Sequence, residues 1–585
     1  MFVASNGALT AGRRDAEGAL FPYQTVDRIY DNAGLIGPVT VLAVASPSGK
    51  ILWEPFAPHQ SHLPAITRRL YKSIEGDRLW FEEEHRDLGL IFSYGWSTAD
   101  THGFIRRCSL QNCTHSHVRV RVLDGLRNLL PSDTSQRLQS TSSNLVDAYK
   151  VARRSTDSPF AVFSLSATII DRAEPMETLH AAIVWSRGLP GASVLLTDRQ
   201  IPAFRAGVDP VNEPHCRGLR HAYLLATHLE IPPQTTEEWC FVADTKLSQS
   251  AIVAHQQQAD DAQAATILAA AEVTATEQLR RLVGSADGVQ TTGDETASAH
   301  HFANTLFNVM RGGTFLDGHH LPGADFSAYV STHNRAVATR HKTLLSSLPA
   351  RLSRAELLTL ISPLDDIDLT CIATEYLPLS FSRRHGDPSR PWNRFRIRIL
   401  DTQGRGLLAY EGNWRDILQN WEALCLSYPD FLPAVIAKFF NASTAHGYNP
   451  YRITRTGIEW EAPESDDPWA SIGYWGDHQV VYLLKLLEWS HRFHPDYLPT
   501  LLHTPAFASA DVPYQLADYA ALLRNPRETI TFTEDHHRAT LTCVDEIGAD
   551  ARLLSVASIT STSPKSSPSS CSSASPTSSP EAASG

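Results

Sequence analysis

Cysteine is scarce: there are eight in 585 residues, at positions 108, 113, 216, 240, 371, 425, 543 and 571, with no C-x-x-C pair. That spacing excludes a disulfide framework and a thiolate zinc site. Long hydrophobic runs are missing as well, because no stretch approaches the roughly 18 apolar residues that a membrane span needs. Met1–Arg13 contains no apolar signal-peptide core. The expectation is a soluble, thiol-reduced, cytoplasmic protein with no membrane partner. Basic charge is not in excess either: 51 Lys and Arg against 63 Asp and Glu give a net charge of −12. A nucleic-acid backbone finds no electrostatic footprint on such a chain. The 25 histidines include the pairs His300-His301, His319-His320 and His536-His537, but no H-E-x-x-H spacing. Neither a G-x-S-x-G elbow nor a phosphate-cradling glycine loop with its lysine occurs. No metal and no organic cofactor are expected.

What is present is enough apolar material for several cores: 42% of residues are hydrophobic, with 12 Trp, 17 Tyr and 22 Phe. At about 150 residues per domain, two to four domains follow. From Val39 to Thr245, short apolar or alternating runs are separated by turn residues. They are Val39–Ala45, Ile51–Phe56, Leu79–Glu83, Leu88–Trp96, Val118–Leu123, Phe160–Ile170, Leu179–Trp185, Val194–Thr197, His221–Ile231 and Trp239–Ala243. In Val118-Arg119-Val120-Arg121-Val122 the period is two, as for a strand with one wet face. The region 1–246 thus reads as an antiparallel β-sandwich. Residues 247–297 become rich in Ala, Gln and Glu with sparse apolar positions, a helical linker that packs on one side.

Beyond it, 298–554 has helical apolar spacing. Helices are expected at His301–Arg311, Thr332–Leu345, Arg354–Ile361, Phe431–Asn441, Asp477–His491 and Tyr497–Leu502. The clearest one starts at Asn413, with Trp414, Ile417, Leu418, Trp421, Leu424 and Cys425 on one face. In the final segment, 555–585, 14 of 31 residues are Ser and apolar periodicity is gone, so a disordered tail is expected.

Three polar and aromatic constellations stand out between the helices. Ser382–Arg394 carries Arg383, Arg384, His385, Arg390, Trp392 and Arg394, which suits a sugar-stacking face with bidentate donors, or an oxyanion clamp. An ordered loop tied by Arg–Asp pairs is the plainer alternative. Tyr410–Trp421 places Trp414, Arg415, Asp416 and Gln419 at a helix start, where Asp416 also complements the helix dipole. Asn441–Gln479 alternates carboxylates, amides and aromatics, including Trp475 and Asp477. Flat rings, hydroxyl-binding forks and paired carboxylates are what a pyranoside site requires.

A sandwich, a helical linker and a helical domain with Trp-Arg-Asp at a helix start together resemble the six-hairpin (α/α)6 glycosidase superfamily. The nearest likeness is to cellobiose and chitobiose phosphorylases, whose sugar site contains a Gly-aromatic-Arg-Asp-x-x-Gln-Asp segment. Gly412–Asn420 is similar, with one residue inserted before Trp414 and Asn420 in place of the terminal Asp. Asp124–Pro131, Arg383–Arg394, Asn413–Leu424 and Gly473–Leu487 also look like a bacterial group related to those phosphorylases.

The resemblance implies an α+β multidomain chain with an (α/α)6-type barrel, and an enzyme acting on oligo- or polysaccharide glycosidic bonds with inversion. Inorganic phosphate is the candidate co-substrate, the saccharide the expected partner, and a homodimer is left open. The resemblance makes Asp416 and Asp477 the candidate catalytic carboxylates. Arg383, Arg384, His385, Arg390, Trp392, Arg394, Trp414, Arg415, Gln419 and Trp475 become the candidate sugar-binding residues. It also leads one to expect a Trp-Asn-Asp segment supplying the general acid, and here Trp392 and Asn393 are followed by Arg394. About seven helices are legible after Gly284, whereas six hairpins require about twelve. The alternative is therefore a catalytically incomplete, sugar-binding or structural chain, with the Ser-rich ending read either as a natural tail or as out-of-frame sequence.

Overall fold

The alternation at Val118 becomes a strand, Val118–Leu129, in which Val120 and Val122 are buried and Arg119 is exposed. The computed structural model describes residues 1–13, 18–22, 26–46, 49–156, 158–170, 174, 176–315, 317–380, 383–384, 396–397, 407–444, 447, 450, 452–460, 479–502, 506–526 and 530–554. The chain divides into one unit of residues 1–306 with 385–397, and a second of 307–384 with 398–585. The expected tail at 555–585 lies outside the described residues.

The first unit contains two antiparallel sheets. In spatial order the nine-stranded sheet runs His215–Arg217, Lys150–Arg154, Phe160–Leu165, Ala181–Arg187, Thr236–Leu247, Gly103–Asn112, Leu90–Ala99, Leu79–His85 and Ile66–Lys72. The five-stranded sheet runs Ser193–Leu195, His221–Ile231, Val118–Leu129, Gly37–Ser46 and Gly49–Trp53. Their facing sides share one core, with Phe81, Phe92 and Trp96 from the larger sheet against Leu42, Val122 and Leu126 from the smaller. This is a β-sandwich.

Two strands had no clear alternation for different reasons. Gly103–Asn112 is buried on both faces, with Phe104 and Leu110 toward the sandwich core and Ile105 toward a second cluster. Ile66–Lys72 is an edge strand whose charged side chains face water, a common way to blunt an edge.

The 247–297 segment is helical, as Gln249–Asp260 and Ala264–Gly284, but it does more than link. Its Ala259, Ala264 and Leu268 pack on Ile105, Phe160, Ile183, Trp185 and Val242, covering the outer face of the nine-stranded sheet. Arg107 Nε donates to Glu272 Oε2 at 3.0 Å across the same contact. The single apolar face of these helices needed a partner, and the sheet's second apolar face supplies it.

The second unit is mainly helical, with a core that includes Phe326, Tyr329, Val330, Leu357, Leu369 and Tyr376. Arg354–Ile361 has the expected bounds, and a Ser353/Glu356 capping box starts it. The helix expected from His301 begins at Glu295, because Asp294 accepts from the backbone amides of Thr296 and Ala297. The expected Thr332–Leu345 helix is broken. One helix, Gly323–His333, ends there, and Asn334 is extended and caps Arg335–Arg340 by accepting from the Val337 amide, before Lys342–Ser347. An Asn side chain competes for backbone hydrogen bonds in this way.

Twelve α-helical segments follow Gly284 among the described residues, where the sequence showed about seven, and several span only five or six residues. Helices that short have no window in which a 3.6-residue period can show. No described helix is long and apolar enough to cross a membrane.

Candidate functional site

The helix Trp414–Ser427 is positioned by the apolar face read from its sequence: Trp414, Ile417, Leu418, Trp421, Leu424 and Cys425 are all buried. Its start is set by a three-stranded patch, Glu411–Asn413, Arg452–Thr454 and Gly457–Glu459. Gly412 is required there, since a Cβ would lie 2.0 Å from Ile417 Cδ1. Trp414 is fully buried against Phe439, ring centroids 4.9 Å apart. This corrects its expected role, because a ring turned into the core anchors the helix and offers no face to a sugar.

Asp416 sits in the first helical turn and is half-buried, where the helix N-terminus favours a carboxylate. Gln419 Oε1 accepts from Tyr482 Oη at 3.0 Å, and Glu422 Oε1 accepts from Trp489 Nε1 at 3.0 Å. The polar side of this helix thus also holds the Gln479–Phe493 helix. Asn420, which stands where the resembled motif has Asp, is buried and donates to Asn308 Oδ1 at 2.8 Å.

Arg383 and Arg384 form a two-residue strand, and Arg415 lies in the first turn of the Trp414 helix. The side chains of these three arginines lie outside the described residues, as do His385, Arg390, Trp392, Arg394, Trp475 and Asp477. Among the described residues, no three His, Cys, Asp or Glu side chains gather as a metal site.

The structure assembles a second polar cluster that sequence reading missed. Glu375 ends the helix Ile367–Glu375, and Lys438 and Asn441 lie on Leu432–Ala442. Lys438 Nζ donates to Glu375 Oε1 at 2.6 Å and to Tyr329 Oη at 3.1 Å, while Asn441 Nδ2 donates to Glu375 Oε2 at 2.6 Å. Close by, Arg455 pairs with Asp325 at 2.6 Å, and Tyr376 donates to the same carboxylate. Asp550 accepts from Asn334 Nδ2 at 3.3 Å. His333, Glu375, Lys438, Asn441 and Asp550 line a cavity of about 30 Å³.

Burial raises the Glu375 carboxyl, but the Lys438 charge outweighs it and the pKa falls to about 2. Asp550 goes the other way, up to about 7, through burial and then the Glu375 charge. Burial lowers His333 to about 4. Two carboxylates pushed apart in pKa are the usual mark of an acid and a base. The volume decides against that reading, because about 30 Å³ is the share of one water in the liquid. No pyranose enters, so the cluster is a buried polar staple. The only sequence signal was the pair of polar residues, Lys438 and Asn441, on the otherwise apolar Leu432–Ala442 helix.

A family model, glycoside hydrolase family 149 insertion domain 1, matches residues 315–378. Among curated proteins none matches this chain. Of solved structures, a bacterial glucoamylase complexed with acarbose is similar at 8% identity and TM-score 0.30, over 70% of this chain and 62% of that one. A putative kojibiose phosphorylase from human microbiome gives 7% identity and TM-score 0.23, over 72% and 43%. Heparinase III gives 12% identity and TM-score 0.18, over 32% and 22%. The chain spans less than two thirds of each of these proteins. Overlaps this loose do not define a common fold, whereas residues 315–378 carry the pattern of an insertion domain from a glycoside hydrolase family.

Proposed function

We propose that this chain is a carbohydrate-active protein of the glycoside hydrolase or phosphorylase type, acting on oligo- or polysaccharide glycosidic bonds. The match of residues 315–378 to an insertion domain of such a family carries the reading. The likeness of Gly412–Asn420 to a phosphorylase sugar-site segment agrees with it. In the inverting version one carboxylic acid protonates the leaving oxygen while phosphate or an activated water attacks the opposite face. Asp416 and Asp477 are the candidate carboxylates. Arg383, Arg384, Arg390, Arg394 and Arg415 are candidates for holding sugar hydroxyls or phosphate, in a cytoplasmic setting and an (α/α)6-type domain.

Incubation with β-linked glucan oligosaccharides, with and without phosphate, tests this. Phosphate-dependent sugar 1-phosphate identifies a phosphorylase and free sugar alone a hydrolase. Neither product together with no saccharide binding by calorimetry refutes both.

A second reading, a saccharide-binding chain without turnover, is favoured by two observations. Trp392-Asn393 is followed by Arg394 where the resembled families place an acid. If residues 315–378 are an insertion, five short helices from Gly323 to Glu375 leave the barrel tally, and seven remain among the described residues. Saccharide binding without product would establish this reading.

A further inference from the structure

The sandwich holds a cavity of about 180 Å³ whose walls include Thr40, Glu54, Tyr94, Arg106, Arg127 and Arg205. Two of its three arginines are neutralised. Arg106 is fully buried and donates to Asp124 Oδ1 at 2.9 Å, and that carboxylate also accepts from Thr40 Oγ1 at 2.7 Å and Trp239 Nε1 at 2.6 Å. Arg205 forks onto both oxygens of Glu54 at 2.7 Å. Arg127 has no such partner. Its Nε is buried without a hydrogen bond, and it makes no ion pair with a carboxylate among the described residues.

The electrostatics follow the geometry. Burial pulls Arg106 down and Asp124 more than restores it, whereas burial, with Arg205 adding to it, leaves Arg127 below the ordinary arginine value despite the charges of Asp198 and Glu54. A guanidinium whose Nε is buried without an acceptor is costly to keep.

Two further features mark the cavity as built. Phe56, on its rim, is in the left-handed region at φ 64, held by its amide on Glu83 Oε2 at 2.7 Å and by its ring edge-on to Tyr94 at 5.3 Å. A bulky residue keeps that backbone only where its surroundings over-determine it, and such positions gather at ligand clamps. Asp124 and Arg127 both belong to the Asp124-Gly125-Leu126-Arg127-Asn128 run singled out in the sequence. Gly125 lets that strand pass its neighbour, since a Cβ there would lie 2.1 Å from the Tyr223 carbonyl oxygen.

The geometry points to a binding site for a small oxyanion-bearing molecule in this cavity, with Arg127 as its charge partner. A planar guanidinium matches a phosphate or carboxylate through two parallel N–H donors. The volume is ample for inorganic phosphate or a monosaccharide phosphate. The site stands independently of the glycosidase and phosphorylase reading.

Calorimetry of the full chain with inorganic phosphate, glucose 1-phosphate and neutral glucose tests it, alongside mass-spectrometric mapping of arginine modification by phenylglyoxal. Both or one of the anions should bind, and the tighter of the two identifies whether the free ion or the ester is the natural source. Arg127→Gln should weaken that binding about tenfold or more. The bound anion should slow modification of Arg127 but not of the exposed Arg119. Absence of anion binding, glucose binding as tightly as the anions, or unaltered binding by folded Arg127→Gln would overturn the assignment. The modification arm uses the unmutated chain, so lack of protection at saturating anion is decisive even if the variant does not fold.

Discussion

The two units bury charge in opposite ways. In the sandwich, the Arg106–Asp124 pair is closed on itself by Thr40 and Trp239, and the neighbouring half-buried Arg127 has no ion pair among the described residues. In the helical unit, Lys438 and Asn441 satisfy Glu375, and the surplus group is an acid, Asp550, which the fold holds toward its neutral form. A buried charge that finds no partner has two ways out: to neutralise by taking or losing a proton, or to meet an ion from solution. A carboxylate can protonate near neutral pH, but an arginine cannot lose its proton. That asymmetry is why the acidic surplus makes a staple and the basic surplus makes a site.

The largest effect should come from breaking the closed pairs. Lys438→Met strands the buried Glu375 charge, and Arg106→Met strands Asp124; each should cost about 3–5 kcal/mol in urea unfolding. If either costs less than about 1 kcal/mol, the pairs are not what organises the buried charge. Next comes the pH response. Asp550 is raised from an ordinary 3.8 to about 7, so the fold favours its protonated form. Its contribution to stability is fully present below about pH 4 and is lost as pH rises through about 7. The change is on the order of 4 kcal/mol, and Asp550→Asn should flatten it in urea titrations between those values.

Glu375, lowered to about 2, acts in the reverse sense, its contribution present above its ordinary 4.5 and lost as pH falls toward 2. Smaller is Asn334→Ala, which removes a helix cap and the hydrogen bond to Asp550, for about 1 kcal/mol measured as a lowered Tm. The smallest effect is the sharpest test. Arg127→Met should be neutral, or stabilise by up to about 1 kcal/mol, since it removes a half-buried cation with no ion pair among the described residues; a loss as large as that of Arg106→Met would erase the distinction between the two arginines.

Much of the architecture was legible because period and composition report burial. His221–Ile231 and Arg354–Ile361 have their expected bounds, each read from the spacing of its apolar residues. Elements whose burial is two-sided, such as Gly103–Asn112, or whose length is under two turns, such as Lys342–Ser347, gave no period to read. Asn334 broke an expected helix because its side chain competed with the backbone, a contest that neighbours decide. At the candidate site the motif residues were visible but their roles were not. Trp414 and Asn420 proved to be core residues, and Gln419 bonds a neighbouring helix.

The sequence alone determined the two-part character of this chain, sheets before helices, since side-chain period is a local property that folding preserves. It also determined the acidic balance, the want of a thiol or histidine metal pattern, and the likeness around Trp414–Gln419. Only the tertiary structure decided which charges meet. Lys438 and Glu375, or Arg106 and Asp124, come from separate elements. Whether a buried arginine is paired or left over depends on what packing brings within about 3 Å, a relation that no local pattern encodes.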